Sequence, residues 1–214
     1  EMSRDALVQR MISSMAKIDS YHIRSGHLQK DDFVKLWNVS GRLSNCKIWI
    51  EDTPGISYMD IRAISRRLKA KEELDVIFID YLQLITLPSS RREENRQNTV
   101  AEISRNLKML ARELSVPVIA LAQVSRAVEA RSDKQPMLSD LRESGAIEQD
   151  ADLVAFIHRP SYYKKEEEGA VKDLTTEVII AKQRNGPTGT AKLTFIDKYT
   201  SFEDHIDIKN EYIQ

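Results

Sequence analysis

Several residues in this chain have the types and spacings that handle phosphate. Asp80 ends the apolar run Val76-Ile77-Phe78-Ile79. A short run of that kind predicts a strand buried on both faces of a parallel sheet. Ligands of open α/β sheets bind just beyond the carboxyl ends of the strands. A carboxylate there suits magnesium, a hard cation that prefers oxygen; it also suits a plain loop opening. Gln123 ends a second run, Val118 to Ala122. An uncharged amide can donate to a terminal phosphate and orient an attacking water, or can simply lead into a loop. Lys182 and Arg184 lie two apart on a predicted strand and so point the same way. They read either as a charged edge that resists aggregation or as a pair that grips a phosphoryl group. Leu141 to Asp152 is dense in polar groups. There Arg142 can pair with phosphate and Gly145 lets backbone approach one, or the stretch is an ordinary helical connection.

The elements that must hold these residues follow from periodicity. Ser3 caps a helix in which Leu7, Met11, Met15 and Ile18 recur. His22 to Lys30 reads as a loop around Gly26. Asp31 and Asp32 open a helix whose buried stripe is expected to be Phe33, Leu36 and Trp37. Ile48-Trp49-Ile50 reads as a strand. Ser57 caps a helix with Ile61, Ile64 and Leu68 inward; its Arg62, Arg66, Arg67, Lys69 and Lys71 read as a solvated face. After a polar loop over 88–97, Val100, Ile103, Leu107, Leu110 and Leu114 mark a long helix from about Asn98 to Leu114. Residues 125–136 read as loop and 139–152 as short helical turns. Leu153 to His158 is a strand, and 164–169 a mobile charged connection. Thr175 to Arg184 and Thr190 to Ile196 form a hairpin across Asn185-Gly186-Pro187-Thr188-Gly189. The order β-α-β-α-β-α-β-β-β predicts an α/β fold, a doubly wound, mainly parallel sheet with an antiparallel hairpin at one edge.

Composition narrows the classes. The 214 residues suffice for one sizeable α/β domain, and 41% hydrophobic with 30% charged residues describes a globular chain. A net charge of −1 confines any nucleic-acid surface to a local patch. The single Cys46 excludes an intramolecular disulfide and a cysteine-rich metal site, in keeping with a reducing cytosol. No apolar run approaches membrane length.

Four stretches together resemble the carboxy-terminal motor domain of DnaB-type replicative DNA helicases. They are Glu1-Met2-Ser3; Val76 to Gln83; Leu121 to Arg126; and Ser139 to Asp152 taken with Lys182 to Thr190. The resemblance implies a RecA-like fold over residues 1–214, a homohexameric ring, ATP with Mg2+ between neighbouring subunits, and single-stranded DNA in the channel. It implies a cytoplasmic, nucleoid-associated protein that translocates 5′ to 3′ and meets a primase and a helicase loader, with no membrane. By the same resemblance, Glu1 matches the catalytic glutamate that polarises water. Asp80 matches the residue that positions magnesium, and Gln123 the sensor of the terminal phosphate. Lys182 and Arg184 match the pair that reaches a neighbour's ATP, Arg184 as the finger. Arg142, Glu143 and Gly145 match the loop that holds the DNA backbone, Glu143 and Gly145 through main-chain amides.

One part of the family's pattern has no counterpart. No GxxxxGK[ST] phosphate loop occurs in the sequence. The expectation is therefore a segment of a longer chain, whose phosphate loop, amino-terminal domain and linker precede Glu1, and which alone binds ATP poorly and hydrolyses it negligibly. Two rivals remain: a RecA-like recombinase forming filaments, and a non-catalytic assembly or docking piece.

Overall fold

The computed structural model describes residues 2–87, 96–163 and 173–205, and of residues 96, 97 and 142–144 only the backbone course. The 88–95 part of the expected polar loop and the charged connection at 164–169 lie outside the described residues. In chain order the elements are α1 (Arg4–Ala16), α2 (Ser20–Ser25), α3 (Lys30–Ser44), α4 (Tyr58–Lys71), β1 (Ile77–Ile79), α5 (Arg96–Leu114), β2 (Val118–Ala120), α6 (Gly145–Asp150), β3 (Leu153–His158), β4 (Thr175–Gln183), β5 (Gly189–Ile196) and β6 (Ser201–Asp204). This is a mixed α/β fold with one parallel pair, β1-β2, and a four-stranded sheet in the order β3-β4-β5-β6. The chain divides into two compact units.

The first unit holds Glu1–Asp52, Arg159–Val178 and Ala191–Gln214. Ser3 caps α1 as its type predicts, its hydroxyl accepting from the Ala6 N–H at 3.3 Å. Ala16, Ile18 and Val39 form the core, with Ile12, Ile23, Leu28, Leu36 and Leu43 around them. Buried Ser13 donates to the Ile18 carbonyl at 2.7 Å and so fixes the chain as it leaves α1. Met15, one of the recurring apolar residues, is 37% exposed.

Three sequence expectations fail in this unit. The loop expected over His22–Lys30 contains the end of α2, which closes at Gly26 with φ +73°, and the first residue of α3. A left-handed residue just past a helix is glycine's usual service, and here it marks a helix end inside what looked like loop. The stripe expected on α3 is misplaced. Phe33 and Trp37 are 59% and 82% exposed, and the buried side is Leu36, Val39 and Leu43. At about 100° per residue the two sets lie on different sides of the helix. Ile48-Trp49-Ile50 forms no strand. β-Favouring side chains make a strand only where another strand takes their N–H and C=O groups.

β6 has no clear signature in the sequence. It pairs antiparallel with β5, Phe195 opposite Phe202, their rings 4.8 Å apart. The connecting turn has no glycine or asparagine; Thr200 itself takes φ +54°, a conformation that β-branched residues rarely adopt.

The second unit holds Thr53–His158 and Ile179–Thr190. The α5 stripe is as predicted: Val100, Ile103, Leu107, Leu110 and Leu114 are all buried. The last four join Tyr58, Leu74, Leu82, Ile85 and Val116 in the main core. Ser57 caps α4, accepting from the Asp60 N–H at 3.1 Å. The basic face of α4 is only partly free. Arg62 and Arg66 both reach Glu113 of α5, at 3.0 and 2.7 Å.

β1 and β2 run parallel in the register Ile77↔Val118, Phe78↔Ile119, Ile79↔Ala120, with α5 as the crossover. Burial on both faces, expected for the Val76–Ile79 run, is not found. Ile77, Ile79, Val118 and Ala120 pack on the helical core, whereas Phe78 is 70% exposed and Ile119 47%. Within this unit, α4 and α5 cover one face of the pair.

Candidate functional site

Asp80 and Gln123 come to neighbouring strand ends. The ladder continues past β1 and β2: the Leu121 N–H donates to the Ile79 carbonyl at 2.9 Å, and the Leu82 N–H to the Leu121 carbonyl at 2.9 Å. Gln83, on a 3-10 turn over Leu82–Leu84, then clasps the Gln123 backbone from both sides. Its Nε2 donates to the Gln123 carbonyl, and its Oε1 accepts from the Gln123 N–H, both at 3.4 Å. Asp80 and Gln123 are both exposed. A carboxylate and an amide thus stand at adjoining carboxyl ends of a parallel pair, where open α/β sheets bind ligands. Gln83 went unassigned in the sequence, since nothing local shows a contact spanning 40 positions.

The polar stretch after β2 is braced by an ion pair the sequence did not single out. Asp140 is buried and takes Arg131 on both oxygens, at 2.9 and 2.6 Å. Asp140 also accepts from the Met137 N–H at 2.8 Å, and its carbonyl accepts from Ser125 at 3.1 Å. A bidentate arginine–carboxylate pair is directional as well as strong, and it fixes the start of the 3-10 segment Leu138–Ser144. That segment leads into α6. Arg142 and Glu143 lie on it, with side chains outside the described residues. Gly145 is exposed, and a Cβ added there meets nothing within 4 Å. Glu1 lies outside the described residues.

Lys182 reaches the carboxyl end of α6, and Arg184 the chain just after it. Lys182 Nζ donates to the carbonyls of Glu148 at 2.5 Å and Ala151 at 2.8 Å. These belong to the carboxyl end of α6, where carbonyls lack helical partners and a cation is favoured. Arg184 follows β4, its N–H on the Asp152 carbonyl at 2.8 Å and its Nη1 on Asp152 Oδ1 at 3.0 Å. Asp152 also accepts a short contact from Lys108 of α5. Repulsion between the two cations is thus relieved inside the chain, by carbonyls for one and by a carboxylate for the other.

The Lys108 hydrogen bond is the main cause that holds the Asp152 carboxyl below its ordinary value. Desolvation opposes it, and the Lys108 and Arg184 charges add to it. A depressed carboxyl stabilises the fold above its unfolded value and ceases to do so as pH falls through the folded value. With Asp152 and Arg184 both more than half exposed, that contribution is small. NMR titration of the Asp152 side-chain carboxyl is expected to give a midpoint below 3.8; a midpoint at or above it would count against the shared contact. Among the described residues, no cluster of three or more His, Cys, Asp or Glu side chains could hold a metal. No helix among the described residues is long and apolar enough to cross a membrane.

Two solved structures share this fold, an ATPase domain and a replicative helicase. One solved ATPase domain superposes with a TM-score of 0.88 at 41% identity, over 96% of this chain and 72% of that one. A DnaB-like replicative helicase studied with primase gives 0.89 at 42%, over 96% and 49%. Residues 1–204 match the family described as the DnaB-like helicase C-terminal domain, and the chain belongs to it. It is 56% identical over 202 residues to the replicative helicase DnaB of Geobacillus stearothermophilus and 54% to DnaC of Bacillus subtilis. Each alignment covers 94% of this chain and 44% of the relative, so the chain spans less than half the length of these relatives.

Proposed function

We propose that this chain is the motor of a replicative DNA helicase, in which ATP hydrolysis at subunit boundaries drives single-stranded DNA 5′ to 3′ through a homohexameric ring. The observation that carries this is the placement of Asp80 and Gln123 at adjoining ends of paired parallel strands, with the Gln123 backbone clasped by Gln83. The finer fold that goes with it is a RecA-like, doubly wound sheet. Asp80 holds Mg2+ in part, which when bound neutralises charge on the transferring phosphates. Gln123 donates to the terminal phosphate, and Glu1 polarises the attacking water. Lys182 and Arg184 serve the nucleotide of the neighbouring subunit. Arg142, Glu143 and Gly145 hold the DNA backbone, the last two by amides, because a carboxylate facing a phosphate repels it. Primase and a loader are the expected partners. The named relatives are replicative helicases, which favours this reading over a recombinase or a non-catalytic piece.

Single-stranded DNA is expected to stimulate ATP hydrolysis by the full-length protein, and a forked duplex to be unwound. Arg142→Ala weakens DNA binding evenly across sequences and lowers the salt dependence by about one phosphate contact. Fluorescence anisotropy with oligonucleotides of differing sequence, repeated over a salt series, reads both. A loss confined to certain sequences would exclude backbone contact, and absence of DNA-stimulated hydrolysis would exclude the motor.

A further inference from the structure

Asp152 meets both Lys108 of α5 and Arg184 just after β4. It stands two residues past α6. That helix has six residues and is about 9 Å long, and it begins at Gly145, directly after the candidate DNA-holding segment. Its carboxyl-terminal carbonyls are orphan groups that Lys182 satisfies. The Ala151 N–H still donates to the Ile147 carbonyl at 2.9 Å, so the helical course runs on to the threshold of Asp152. Lys182 and Arg184 are therefore not independent of the polar stretch before them. Lys182 is hydrogen-bonded to the carboxyl end of α6 and Arg184 to Asp152 two residues beyond it, and the other end of that short helix, Gly145, adjoins residues 142–144.

The way Arg184 is held matters as much as the fact that it is held. A guanidinium carries five N–H donors in a rigid fork. Nη1 alone meets Asp152, and the side chain is 51% exposed. One edge of the fork is located while the rest stays available to an anion. An exposed ion pair of this kind adds little to stability. What it fixes is the direction of a long, rotamer-rich side chain.

We propose that Asp152 is a positioning residue for Arg184, and that α6 with Asp152 is the link through which DNA bound at residues 142–145 sets the reach of Lys182 and Arg184 toward the neighbouring nucleotide. This rests on the motor reading above. A polyanion drawing the 142–145 segment toward itself moves α6 as a body. Lys182 follows through the Glu148 and Ala151 carbonyls, and Arg184 through the Asp152 carboxylate and carbonyl. Lys108 anchors the same carboxylate to α5, the helix at the centre of the core, and so gives the movement a pivot.

The test is steady-state ATP hydrolysis by the assembled full-length protein, with and without an unstructured oligo-dT strand, alongside the affinities for each ligand. Asp152→Asn keeps the side chain's shape and removes its charge. It is expected to lower the ratio of DNA-stimulated to DNA-free hydrolysis about tenfold, the scale of one charge-assisted hydrogen bond. Affinities for ATP and for oligo-dT should stay within about twofold, since neither ligand is held by this carboxylate. Asp152→Glu restores part of the ratio, and Lys108→Gln lowers it by a smaller factor. These two variants are read in the same assay, so failure of Asp152→Asn to assemble does not end the test. A merely structural role would reduce both rates alike and leave the ratio unmoved; that result, or an unchanged ratio in Asp152→Asn and Lys108→Gln, overturns the proposal. Arg184→Ala separates the two levels. If Arg184→Ala hydrolyses ATP at the normal rate, the motor assignment of Arg184 fails. If it is inactive while Asp152→Asn keeps the normal ratio, only the link through Asp152 fails.

Discussion

Replacing Arg184 with alanine in the full-length protein is expected to abolish ATP hydrolysis and to leave ATP binding largely intact. An arginine supplied in trans to a transferring phosphoryl group is worth roughly 10³–10⁵ in rate, because it meets charge that develops only in the transition state. The fold loses little by the change. Arg184 lies in the turn after β4 and its side chain is half exposed, so its ion pair contributes about 0–1 kcal/mol to stability. Arg184→Lys should rescue poorly, since a point charge cannot reproduce a planar fork held on one edge by Asp152. Trans action has its own signature. In mixed rings, variant subunits should silence wild-type neighbours, so that activity falls more steeply than the wild-type fraction. Nucleotide-analogue binding and hydrolysis, measured across mixing ratios, read both effects. Loss of binding with an unchanged rate per bound ATP would remove Arg184 from the finger's role, and a strictly linear mixing curve would place its action within its own subunit.

The sequence reveals the residues of this site more readily than it reveals what holds them. The α5 stripe was legible because nineteen residues repeat one pattern, long enough for packing to follow periodicity. Asp80, Gln123, Lys182 and Arg184 were legible because each stands at a strand end or strand position that the pattern locates. Their partners were not. Gln83 and Gln123 lie 40 positions apart, and Arg184 and Asp152 lie 32 apart. No local pattern records which acid meets which base across such spans. The aromatics of α3 misled for another reason: Phe33 and Trp37 are apolar and one helical turn apart, yet the buried side belongs to smaller residues. Side-chain type states a preference for burial, and neighbouring elements decide where burial exists. Ile48–Ile50 shows the same rule for strands, and β6 shows its converse, a strand made by the cross-strand pair Phe195–Phe202 in spite of an unpromising turn.

Leu110→Ala should be among the most destabilising single changes in the second unit, at about 2–5 kcal/mol and toward the upper part of that range. Leu110 is 0% exposed and Ile103, two turns earlier on α5, is 1% exposed. The cost of a Leu→Ala change rises with the volume the surroundings cannot refill. Here the neighbouring helix is not at liberty to slide inward. The Tyr58 hydroxyl of α4 donates to the Asn106 carbonyl at 3.1 Å on one side of Leu110, and Arg62 and Arg66 hold Glu113 on the other. Polar contacts that bracket the site preserve the spacing of α4 and α5 and so preserve the cavity. Lys108→Gln, two residues away on the same helix and paired with the more exposed Asp152, should cost less than about 1 kcal/mol. The pair therefore separates the two services of α5: Leu110 holds the core together, and Lys108 holds Asp152 in place. Urea denaturation of the two variants, with hydrogen exchange of the α4 and α5 amides, distinguishes them. A Leu110→Ala cost under about 1 kcal/mol would mean that α4 closes on the gap and that its bracket with Glu113 and Asn106 is not rigid. A Lys108→Gln cost as large as that of Leu110→Ala would make Lys108 a structural residue of the core helix, and its effect on hydrolysis would then follow from lost stability alone.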